Sequence, residues 1–85
     1  MNKLNSLPGK PATYFGLVTS VHEVKGYCFL ETYIGGDAKS VFLHFTQVIP
    51  GSPSPQRGMK ATFEIATDTK SGRVMAVNAK MFQKQ

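Results

Sequence analysis

Eighty-five residues make one compact domain and leave no room for two. With 41% hydrophobic and 18% charged residues, no apolar run long enough to cross a bilayer and no apolar leader, the chain is expected to be globular and cytoplasmic. Ten Lys and Arg against five Asp and Glu give a net charge of +5, which favours polyanionic partners, nucleic acid before a membrane surface.

Residues 1–12 contain Asn, Ser, Gly and two prolines without periodicity and read as a flexible arm; residues 13–85 are the folded unit. The first predicted strand is Tyr14 to His22, rich in β-branched and aromatic residues. Glu23 to Gly26 forms a turn, and Tyr27 to Thr32 a second strand. Cys28 sits there between Tyr27 and Phe29, and reads as a small core filler rather than a nucleophile. Gly35-Gly36-Asp37 marks the next turn, followed by a third strand, Ser40 to Phe45.

Gln47 to Gly58 carries three of the five prolines and two glycines, and is expected to be an irregular loop. Met59 to Thr67 and Arg73 to Phe82 complete the strands, with a turn from Asp68 to Gly72 between them. No segment holds a helical period. Five short strands in so few residues predict a closed all-β barrel, most naturally the antiparallel five-stranded oligonucleotide-binding (OB) fold, with an SH3-like barrel as the alternative.

The second and third strands break the usual alternation of apolar and polar residues. Tyr27 and Phe29 alternate with Cys28 and Leu30, and Phe42 and His44 with Val41 and Leu43, so both faces of each strand are apolar. Only one face of a small barrel points inward. Leu30, Val41 and Leu43 suit a narrow interior, which turns Tyr27, Phe29, Phe42 and His44 outward as an exposed aromatic patch. Such a patch suits base stacking, worth about 1–3 kcal/mol per base whatever the base. Lys25 beside it is placed to meet a phosphate. Strict alternation turns Phe45 inward.

Lys25-Gly26-Tyr27-Cys28-Phe29-Leu30-Glu31 resembles the first ribonucleoprotein motif of the cold-shock domain family, Lys-Gly-Phe-Gly-Phe-Ile. Val41-Phe42-Leu43-His44-Phe45 resembles the second, Val-Phe-Val-His-Phe. Gly58 to Ile65 and Ala76-Val77-Asn78-Ala79 extend the resemblance, which covers about residues 14–82. It implies an OB barrel that binds single-stranded RNA or DNA with little sequence selectivity. It also implies ligand contacts by Lys25, Tyr27, Phe29, Phe42, His44 and Phe45. Phe45 then needs a bend at its strand end to face the ligand.

The departures lie where the family carries Lys-Trp-Phe-Asn in its first strand. Here the residues are Thr19-Ser20-Val21-His22, so Ser20 replaces the tryptophan. His22 offers partial compensation by stacking, with a solvated turn residue as the preferred reading. The long loop has no aromatic, and Cys28 replaces the motif's second glycine. Absent platforms lower the expected affinity, and the positive charge offsets part of the loss at the cost of greater salt sensitivity.

The leading expectation is a passive single-strand binder, RNA before DNA, acting as RNA chaperone or gene-expression regulator. The alternative is a protein-interaction or homodimerising barrel with weakened nucleic-acid binding. Catalysis is not expected, because two histidines, five acids and one cysteine supply no triad, carboxylate pair or metal set. No cofactor, metal, membrane or small-molecule substrate is expected, and the chain is read as a monomer or weak homodimer.

Overall fold

The computed structural model describes residues 12–83, so the predicted arm, Ala12 apart, lies outside the described residues. Five strands follow one another: β1 (Tyr14–His22), β2 (Tyr27–Ile34), β3 (Asp37–His44), β4 (Lys60–Thr67) and β5 (Val74–Phe82). A 3-10 turn, Phe45–Gln47, follows β3. The strands close into a barrel in the order β1-β2-β3-β5-β4. β1 pairs antiparallel with both β2 and β4, while β3 meets β5 in parallel through Phe42 and Met75. This is the OB topology, and it replaces the SH3-like alternative. The ladders are antiparallel as expected, except for that closing contact.

The β2–β3 hairpin is longer than its sequence predicts. Gly35 and Gly36 both take positive φ, +61° and +88°, as a two-residue type I′ turn requires. The register therefore runs unbroken from Tyr27 opposite His44 to Ile34 opposite Asp37. Two bulges bend other strands. In β1 the register slips between Val18 and Ser20, and the Thr19 hydroxyl donates to the Phe29 carbonyl at 3.3 Å. Between β4 and β5 it slips between Thr62 and Glu64. There Asn78 adopts φ +50°, a region asparagine tolerates better than most residues. Its side-chain amide donates to Glu64 Oε1 at 3.0 Å.

The inward residues form one core, in which Cys28, Leu30 and Leu43 are wholly buried and Val18, Val41, Phe63 and Met81 nearly so. Gly16 leaves room for the Phe63 ring: a Cβ there would stand 2.8 Å from that ring and 2.9 Å from the Glu31 carbonyl oxygen. Burial pushes the Cys28 thiol up to about 11, which leaves it protonated near neutral pH and fits a core filler rather than a nucleophile.

The long loop is irregular, as its prolines predict, and is stitched to the barrel. Val48 bridges Ala79, the Ile49 amide donates to the Ala79 carbonyl at 2.9 Å, and the Met81 amide donates to Ser52 Oγ at 2.8 Å.

Candidate nucleic-acid interface

The strand pleat fixes the patch. With Cys28, Leu30, Val41 and Leu43 sunk in the core, their alternating neighbours Tyr27, Phe29, Phe42 and His44 point out of the barrel. The β2–β3 register sets Phe29 directly opposite Phe42, and Tyr27 opposite His44. The ring centroids lie 5.2 Å apart for Tyr27–Phe42, 5.8 Å for Tyr27–Phe29, 5.9 Å for Phe29–Phe42 and 6.5 Å for Phe42–His44. These are tilted and edge-on contacts within the favourable range for aromatic pairs. Mutual shielding leaves Tyr27, Phe29 and Phe42 half-buried and His44 exposed.

His22 belongs with them. It is the last residue of β1, where the predicted strand also ends, and its ring is not left to solvent alone: it lies opposite Tyr27, 4.8 Å from the tyrosine's ring. The bulge at Thr19 shifts the register ahead of it, so that His22 meets Tyr27 on the outer side. Ser20, at the place of the family tryptophan, pairs with Phe29 on the same side of the sheet. The patch therefore has a low corner where the family carries its largest ring.

His44 has a defined orientation. Its Nδ1 accepts from the Thr46 amide at 3.2 Å and lies 2.8 Å from the Thr46 hydroxyl. An amide can only donate, so the neutral ring carries its proton on Nε2, which remains available as a donor on the outer side. Lys25 is exposed in the β1–β2 turn, two residues before Tyr27. There the Gly26 amide donates to the His22 carbonyl at 2.9 Å. Phe45 leaves the strand at the 3-10 turn and packs half-buried against the core. Its inward component follows the alternation rather than the family pattern, and the bend that the resemblance requires coincides with the 3-10 turn.

A groove of about 490 Å³ runs over the patch, lined by Tyr27, Phe29, Ser40, Phe42, Arg73 and Val74. Arg73 was not among the residues the motifs indicated. It reaches the groove because β5 begins beside β3, with Met75 opposite Phe42. The β4–β5 turn behind it is braced: the Lys70 amide donates to Asp68 Oδ1 at 2.9 Å and the Asp68 amide to the Arg73 carbonyl at 2.8 Å. The Lys70 amide bond, followed by a bond from Ser71, holds the Asp68 carboxyl below its usual range. Among the described residues, no three His, Cys, Asp or Glu side chains gather as a metal site.

The arrangement defines a class: a closed OB barrel with a ring-bearing outer sheet face, a groove and a cation at its edge. A solved structure with this architecture is that of Drosophila Unr CSD456, cold-shock domains 4-5-6. It matches 88% of this chain with a TM-score of 0.67 and 21% sequence identity. The chain spans 29% of the length of that structure's chain. The likeness establishes the cold-shock domain fold. No protein-family model and no curated protein sequence matches the chain.

Proposed function

We propose that this protein binds single-stranded nucleic acid, RNA in preference to DNA, with little base selectivity. The observation that carries the proposal is the continuous outward cluster of Tyr27, Phe29, Phe42 and His44, joined by His22. Bases stack on the rings, His44 Nε2 donates to a base edge or phosphate, and Lys25 and Arg73 neutralise phosphates at the rim. The rings accept any base, because every base has a π-face. Binding only the unpaired state draws weak RNA structure open by mass action, the action of a passive RNA chaperone or regulator.

The second reading, a protein-interaction barrel with weakened nucleic-acid binding, is favoured by Ser20 beside Phe29 where the family has its tryptophan. Titration of a labelled oligo-U at low salt separates the two. Under the proposal Phe29→Ala and Phe42→Ala each weaken binding by about 1–3 kcal/mol while circular dichroism stays that of the native barrel. No binding below about 100 µM by the unmodified protein favours the second reading, since electrostatics alone gives about 10⁻⁴–10⁻⁶ M at physiological salt.

A further inference from the structure

The barrel has a second apolar outer face, separate from the ring cluster. It is centred on β1, where Phe15 is 76% and Leu17 41% exposed, and extends to Tyr33 on β2, 69% exposed, and Phe82 on β5, 43% exposed. A groove of about 480 Å³ runs between these residues. Unlike scattered surface hydrophobics, they line one groove, on three of the four neighbouring strands β2, β1, β4 and β5, and a patch of this kind marks an interaction surface.

The register supplies the charge pattern that says what fits. Leu17 pairs with Glu31 on one side and with Lys60 on the other. β1 is thus an apolar spine with a carboxylate to its left and an ammonium to its right at the same level, both exposed and both lining the groove. A two-fold rotation about an axis along β1, with two such faces opposed, places Leu17 against Leu17 and Phe15 against Phe15. The same rotation sets Glu31 of each copy against Lys60 of the other. The face is therefore self-complementary, as a two-fold interface between identical subunits must be.

We propose that this face pairs two copies of the chain about that axis, leaving both ring clusters free. Neighbouring strands lie about 4.8 Å apart, so four strands span only about 14 Å. The contact thus falls in the small class, under about 1,200 Å² in total, that characterises weak and reversible association.

Sedimentation equilibrium on the full chain without nucleic acid, from about 20 µM to about 1 mM, reads the association directly. Under the proposal the average mass rises with concentration from 9.3 kDa towards twice that value. Glu31→Lys and Lys60→Glu each weaken self-association at least tenfold, because each brings two like-charged pairs together. An equimolar mixture of the two variants restores it, since every facing pair is then opposite in sign. Phe29→Ala leaves it unchanged. A chain that stays monomeric at about 1 mM overturns the proposal, as does a mixture no more associated than its components, or association lost with Phe29. None of these readouts depends on nucleic-acid binding.

Discussion

The outer side of β2 carries two different surfaces end to end. Tyr27 and Phe29, in its first half, lean on Phe42 and shield one another to half burial. Glu31 and Tyr33, in its second half, face the β1 spine, where Tyr33 and Phe15 remain mostly exposed. The difference lies in what each half meets across the barrel. The first half is bordered by polar-tipped rings and by Arg73, a setting for flat, charged ligands. The second is bordered by aliphatic and aromatic side chains with one charge of each sign, a setting for a protein surface. A shared strand and a shared side do not make a shared surface chemistry; the cross-strand neighbours do.

The largest effect expected from a single change comes from removing the support that both surfaces share. Leu43→Ala should cost about 2–5 kcal/mol of unfolding free energy in urea, because Leu43 is wholly buried. Phe42→Ala, one residue away on the outer side, should cost far less stability and appear mainly in binding. Equal stability losses would mean that the ring cluster is structural.

Next is an alkaline transition under the first surface. The unfolded Cys28 thiol ionises near 9, whereas burial holds the folded one near 11. Between those values the folded state binds more protons, so stability is full below pH 9 and falls as pH rises towards 11, by roughly 2–3 kcal/mol. Cys28→Ala should remove that part of the slope in denaturation curves collected across the window.

Enlarging one surface alone sharpens the contrast. Ser20→Trp, opposite Phe29, should tighten oligo-U binding by about 1–3 kcal/mol and leave the β1 spine untouched. Unchanged affinity would show that the low corner lies off the path of the strand. The smallest effect belongs to the groove edge: Arg73→Ala should lower the slope of log affinity against log salt by about one and weaken all sequences alike.

Much of this was legible in the sequence, for identifiable reasons. The doubly apolar alternation of Tyr27-Cys28-Phe29-Leu30 has only one sensible inside, since aliphatics fill a narrow barrel and rings tolerate its surface. The missed features are non-local. Arg73 joins the groove only because β5 closes on β3, and His22 joins the rings only because β1 pairs across to Tyr27 behind a bulge. The hairpin outruns its predicted ends because Gly35 and Gly36, both at positive φ, turn the chain within two residues and let the ladder continue to Ile34 and Asp37. The facing of Phe15 and Leu17 follows from the fold rather than from a motif: Gly16 turns inward, where the Phe63 ring takes the space a side chain would fill, and its two neighbours turn outward.

An NMR titration with a short pyrimidine strand, following aromatic ring signals, tests the central claim most directly. The rings of Tyr27, Phe29, Phe42 and His44 should shift progressively with added strand, while those of Phe15 and Tyr33 hold still. Stationary signals from the first four at millimolar strand, or shifts confined to Phe15 and Tyr33, would contradict it.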